Sequence, residues 1–182
     1  LQYRQNNDDT EEFPSGDGQL SDQARSLVNQ SFRVWQDPDC SDLQLVEGDL
    51  TASRSVGYVP SDGFSGNTNL VIWQDDNWPA SNGASSIALT SVTYNTRTAL
   101  IADADIEINS RNFDFADLDQ PGNSVVDVRN AMVHEVGHFV GFDHNSNRDS
   151  TMFASANPGE IKKRTLEQDD IDGLCAVYPT GQ

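Results

Sequence analysis

The stretch His134-Glu135-Val136-Gly137-His138-Phe139-Val140-Gly141-Phe142-Asp143-His144 holds all three histidines of a 182-residue chain, and the remaining sequence reads as a scaffold for it. On a helix, His134 and His138 stand four residues apart on one face, so their imidazoles can converge on one ion. Gly141 offers the left-handed conformation that ends a helix and turns the chain, which brings His144 back as a third ligand. Zinc favours imidazole and four-coordinate geometry. Three protein ligands leave one position for water, the arrangement of a catalytic rather than a structural site. Glu135, beside the first ligand, is the candidate general base. The competing reading is three ordinary histidines in an amphipathic helix and its following loop. It is the weaker one, because the motif has the helical context it needs. Ser124 to Val140 lacks proline and carries Val126, Val133, Val136 and Val140 at spacings that turn one stripe toward a core. Gly137 is costly inside a helix; close packing near the metal, between the two ligands, is its expected compensation.

The chain length and mass of 20.0 kDa predict one domain, residues 1–182, with a real core. No apolar run approaches a signal peptide or a membrane span. The chain begins at Leu1, which reads as a processed fragment. Eleven basic against twenty-nine acidic side chains give a formal charge of −18, which argues against nucleic acid as a partner. Such acidity serves solubility or, for some carboxylates, calcium binding.

From the start of the chain, Leu1 to Asn6 reads as a strand and Asp8 to Gly18 as loop. Ser21 is a plausible N-cap for a helix carrying Ala24, Leu27, Val28, Ser31, Phe32 and Trp35, stopped by Asp37-Pro38. Leu43 to Leu50 and Asn69 to Gln74 read as two more strands around a Ser, Gly and Asn-rich crossover, Gly57 to Asn69. Ser86 to Asn95 and Leu100 to Asn109 alternate well. In the second, Ala102, Ala104, Ile106 and Ile108 are expected toward the core and Asp103, Asp105 and Glu107 outward. That acidic row is expected to protect an edge strand from aggregation, with calcium ligation as the other reading. Arg111 to Gly122 reads as a polar loop. Thr165-Leu166-Glu167-Gln168 reads as a capping box for a last helix whose buried stripe is Ile171, Leu174, Cys175 and Tyr178, ended by Pro179.

The two cysteines, Cys40 and Cys175, are an even count, which in a secreted protein usually means a bridge. A disulfide is the favoured reading, and two buried thiols the alternative.

The run HEVGHFVGFDH, followed by Ser150-Thr151-Met152, resembles the extended zinc signature and methionine turn of the metzincin metalloproteases. Leu166 to Tyr178 resembles the C-terminal helix of the matrixin branch, and Ile101 to Asn109 its edge strand. The resemblance implies an α+β metzincin fold: a twisted, mixed five-stranded sheet with two backing helices, then a small C-terminal subdomain with one helix. The parts are 1–144 and 145–182. It implies a zinc-dependent endopeptidase in which His134, His138 and His144 hold the metal, Glu135 activates water and Met152 floors the site. Phe153, Ala154, Ser155 and Ala156 would wall a pocket for an apolar side chain. Asp103, Asp105 and Asp62 are the possible calcium ligands. Of the pair Asp169 and Asp170, one would fix the methionine turn. The chain also departs from related patterns. No tyrosine follows Met152 where astacins and serralysins carry one, Asn145 replaces a common serine, and no further histidine exists for a second, structural zinc. A thiolate latch at Cys40, as in matrixin pro-segments, lacks the Arg-Cys-Gly surroundings. The expected setting is a secreted, extracellular monomer acting on protein or peptide substrates, without a membrane partner. Two other classes are a zinc hydrolase of a non-protein amide, such as a cell-wall crosslink, and a non-catalytic metal-binding module. The presence of Glu135 and of a strand suited to a peptide backbone weighs against them.

Overall fold

In the computed structural model, which describes residues 1–16, 18–63, 66–122 and 124–181, the alternating run becomes β5 (Ile101–Ile108), and the sheet is assembled around it. Its partners are β1 (Gln2–Gln5), β2 (Val46–Glu47), β3 (Leu70–Trp73) and β4 (Ala88–Tyr94). Among the described residues these five strands pair in the order β2, β1, β3, β5, β4; the first four are parallel to their neighbours, and β4 runs antiparallel to β5. The outer strand on the site's side is therefore β4, not the 101–109 run expected there. Leu43 to Leu50 is a strand only at its centre. Leu43 and Leu45 are buried in the core without joining the ladder.

Ala104, Ile106 and Ile108 of β5 join the core cluster with α1 (Asp22–Val34) and α2 (Val128–Phe139), as the alternation required. The opposite face differs from expectation. Asp103, Asp105 and Glu107 are only 2%, 1% and 5% exposed. Loops cover them, and their amides are the donors: the N–H groups of Gly57 and Leu70 bond the Asp105 carboxylate, and Gln74 and Asn82 bond Glu107. Period two separates two faces; it does not say which one water reaches.

The two backing helices are locked together by aromatic side chains. The Ser21 hydroxyl caps α1 by accepting the Ala24 N–H at 3.1 Å. Phe32 packs edge-on to Phe139 of α2, with centroids 5.2 Å apart. Trp35, fully buried just past α1, donates its indole N–H to the Val133 carbonyl of α2 at 2.7 Å. Helix α2 itself starts later than the expected Ser124, because Val126 and Asp127 form strand β7 (Val126–Asp127), paired in parallel with β6 (Phe115–Ala116). Asp127 then caps α2 through the Asn130 N–H at 2.7 Å.

The last helix, α3 (Gln168–Val177), begins after a short 3-10 turn at Lys162–Arg164. Its cap is Glu167 rather than Thr165, with Asp170 accepting the Glu167 N–H at 3.1 Å. A disulfide joins Cys40 to Cys175, with Cα atoms 5.3 Å apart. It ties the segment after α1 to α3, so no free thiol is left among the described residues for a latch. No described helix is long and apolar enough to cross a membrane.

Candidate metal centre

Helix α2 presents His134 and His138 one turn apart, and its end is built to return the third histidine. Gly141 has φ +96°, its N–H bonds the His138 carbonyl at 2.8 Å, and the Phe142 N–H bonds the Gly137 carbonyl at 2.9 Å. This is the Schellman arrangement, and Phe142 supplies its apolar contact by stacking on Trp35 at 5.2 Å. Three residues on, His144 points back, its N–H fixed by the Asp143 carboxylate at 2.7 Å.

The three Nε2 atoms converge. His144 Nε2 lies 3.2 Å from that of His134 and 3.0 Å from that of His138. A tetrahedral zinc with nitrogens at about 2.0–2.1 Å sets its ligand atoms about 3.3 Å apart. The Nδ1 sides agree. His134 Nδ1 donates to the Thr151 carbonyl and His138 Nδ1 to the Phe142 carbonyl, each at 2.7 Å, which leaves both Nε2 lone pairs for a metal. Burial, more than any neighbour, pushes the His134 imidazolium down to about 3 and lowers His138 and His144 as well, so the rings are neutral and ready to coordinate. Among the described residues these three form the only group of three or more metal-ligating side chains close enough to share an ion.

Met152 lies beneath, 2% exposed, under the middle of α2. A Cβ on Gly137 would stand 2.2 Å from Met152 Sδ and 2.6 Å from Trp35 Cζ2, so the glycine between the two ligands is required by close approach. The methionine turn is held by Asp170, whose carboxylate accepts from the Ser150 hydroxyl at 2.6 Å and the Thr151 N–H at 2.8 Å. Asp169 instead accepts from Asn145 and Asn147, at 2.9 and 3.2 Å. Asn145, in place of serine, thus keeps a bonding role.

Glu135 opens onto the same cleft, which has a volume of about 980 Å³. Its Oε2 accepts the Thr90 hydroxyl of β4 at 2.6 Å. Burial pushes its carboxyl up to about 7, against the opposing hydrogen bond from Thr90 and the charges of His144 and Lys163. Ala154, Ser155 and Ala156 line the cleft, but Phe153 does not: its ring lies under the Arg148 and Lys162 cations, at 5.6 and 5.9 Å.

Of the acidic residues singled out for calcium, Asp103 and Asp105 hydrogen-bond each other and lie buried, whereas Asp62 is exposed in the turn Pro60–Asp62, bonded by the Ser61 hydroxyl. Burial pushes the Asp105 carboxyl up to about 7, with Asp103 and Glu107 adding to it and the Gly57 and Leu70 amides opposing. Sequence reasoning placed Trp35 on the apolar stripe of the first helix but not against the metal helix, and it did not find Thr90 or Lys163. Thr90 carries no local signal, since it reaches Glu135 only through the pairing of β4. The signal for Lys163 was a lysine between a loop and a capped helix, which reads as solvated surface, yet it is 2% exposed and borders the cleft.

A family model described as Matrixin matches residues 9–179. Metalloendoproteinase 5-MMP of Arabidopsis thaliana is 27% identical over 159 residues, covering 87% of this chain and 40% of that protein. Metalloendoproteinase 2-MMP of the same plant is 23% identical over the same share of this chain and 38% of its own. Metalloendoproteinase 1 of Glycine max is 40% identical over 58 residues, 32% of this chain and 19% of that protein. The chain spans about 40% of the length of the first two relatives.

Proposed function

The chain belongs to the matrixin family, and on that premise we propose that it is the catalytic domain of a secreted zinc endopeptidase that cleaves extended peptides. The observation that carries this reading is the Glu135 carboxylate, buried in the cleft beside three convergent imidazoles and aimed by the Thr90 hydroxyl. His134, His138 and His144 would hold a zinc ion, which when bound would supply the Lewis acidity that activates water and polarises a carbonyl. Glu135 Oε takes the proton of the attacking water and then passes it to the leaving amine, serving as base and acid in turn.

Strand β4 offers the substrate a place. It is the outer strand, so one side of its backbone is open to a peptide pairing antiparallel, which aligns the main chain whatever the sequence. Ala154, Ser155 and Ala156 wall the pocket beside the metal. The domain works as an extracellular monomer in two parts, 1–144 and 145–182. Calcium near Asp103 or Asp105 answers the buried carboxylates of that face, whereas Asp62 is exposed and does not join them in a shared group.

The test is Glu135→Ala. The variant keeps its zinc and fold while peptide cleavage falls by about two to four orders of magnitude, the usual size of a general acid–base contribution. Normal zinc content with near-normal turnover would show the assignment to be wrong.

A further inference from the structure

The cleft continues from the metal ligands between α2 and the segment 154–163, where Ala131, Ala154 and Ala156 leave room for a substrate side chain. Apolar groups would close an apolar pocket. Here two charged groups with unused bonding capacity border it. Lys163 is 2% exposed and held in place by its own N–H, which donates to Asn130 Oδ1 of α2 at 2.8 Å. Its ammonium has three donors. One goes to the Phe153 carbonyl, and no ion pair among the described residues includes it. Glu160 also borders the cleft. Its Oε2 accepts from the Asn157 N–H at 3.4 Å, while its Oε1 is buried with no hydrogen-bond partner; the nearest cation, Lys162, stands 3.9 Å away. Buried polar groups without partners are few in folded proteins. In a binding cavity, such groups fix what the cavity accepts.

Building on the proteolytic reading above, we propose that this pocket selects a glutamine on one of the two substrate residues flanking the cleaved bond. Lys163 Nζ donates to the side-chain amide oxygen, and the Glu160 carboxylate, on a side chain that keeps partial exposure, accepts from the amide NH2. A primary amide carries an acceptor and a donor at one tip, so it answers both groups. Leucine leaves both dry and unpaired, glutamate sets a carboxylate against Glu160, and lysine sets an ammonium against Lys163. Sites built to hydrogen-bond a substrate group discriminate strongly against analogues that lack it, because their own buried groups then go unsatisfied.

The experiment uses two peptide sets, varied to Gln, Leu, Glu or Lys at the residue before or after the cleaved bond, with kcat/KM measured for each. In one set Gln leads the other three by about ten-fold or more. Lys163→Met, which keeps the length and removes the donors, brings Gln to or below Leu. Glu160→Gln, which keeps size and surface character, narrows the lead of Gln over Glu. Leucine leading in both sets, or a Gln-to-Leu ratio unchanged in Lys163→Met, overturns the proposal and leaves the proteolytic reading standing. If Lys163→Met does not fold, unchanged ratios in Glu160→Gln overturn it equally. Cleavage of no peptide in either set overturns the proteolytic reading, and this inference with it.

Discussion

Gly137→Ala tests whether the zinc helix, the tryptophan anchor and the methionine floor form one packed unit. A helix normally gains about 1 kcal/mol from this exchange. The structure reverses the sign. The added Cβ would lie 2.2 Å from Met152 Sδ and 2.6 Å from Trp35 Cζ2. Met152 is flexible by nature but has little free space around it at 2% exposure. Trp35 is held by the Val133 carbonyl at 2.7 Å and by Phe142 stacked on it, so shifting it weakens a buried hydrogen bond. Overpacking costs about 1–3 kcal/mol, and a strained or broken buried hydrogen bond adds about 1 kcal/mol. After the propensity gain, a net loss of about 2 kcal/mol remains, or about 4–8 °C in Tm for a domain of this size. Urea unfolding of the zinc-loaded protein should show a lower midpoint with an unchanged slope. Competition with a chelator should show weaker zinc retention, because Gly137 lies between two ligands. A midpoint equal to or above that of the parent would refute the close-approach argument.

His144→Ala should lose zinc on mild dialysis, since two imidazoles remain and no other histidine exists; elemental analysis showing full retention would sink the three-ligand assignment. Reducing Cys40–Cys175, which spans 135 residues, should lower stability by about 3 to 5 kcal/mol in the entropy model, read as a drop in denaturant midpoint. An unchanged midpoint would mean that the covalent tie constrains little. Asp105 has its carboxyl raised from 3.8 to about 7, so the folded state binds its proton more tightly than the unfolded state. The stability it lends is complete below the unfolded value and is lost as pH rises through about 7. Melting of the parent minus Asp105→Asn, both in chelator, should therefore fall across that window, and calcium added above it should raise the parent's midpoint. A flat difference curve counts against the buried charge, and no response to calcium leaves the covered acidic face without a cation.

The ligand set and the helix end were legible because they depend on local spacing: four residues on a helix face, a glycine at the turn, a histidine three residues on. What the sequence hid depends on contacts between distant segments. Val126 counts equally well toward a helical stripe or a strand; pairing with Phe115 puts it on β7, and Asp127 then becomes the cap. Alternation in β5 named two faces correctly, but the amides that cover Asp105 come from the Gly57 loop and from Leu70 at the start of β3, far back in the chain. The capping box moved from Thr165 to Glu167 because Thr165 ends the preceding 3-10 turn and its carbonyl is taken by the Thr151 hydroxyl at 3.0 Å. Strand order, too, made β4 the open edge, although 101–109 carried the more conspicuous charge pattern.

Asp170 shows how a residue away from the metal can govern it. Its carboxylate is at once the start of α3, through the Glu167 N–H, and the clamp on the methionine turn, through Ser150 and Thr151. Thr151 completes the connection, because its carbonyl accepts from His134 Nδ1. The orientation of the first ligand, and hence which of its nitrogens faces the metal position, thus runs back through one residue, Thr151, to a carboxylate on the last helix. The disulfide anchors that helix to the segment following α1. Trp35, at the end of α1, in turn holds α2 through the Val133 carbonyl and packs against Gly137. The two sides of the site are therefore tied by a closed circuit: α2 to the methionine turn, the turn to α3, α3 to the end of α1, and α1 back to α2. The circuit fixes α2 against the methionine turn, and the third histidine joins it through the next residue, whose N–H bonds the Met152 carbonyl at 3.1 Å, so that the turn holding His134 also holds the segment carrying His144.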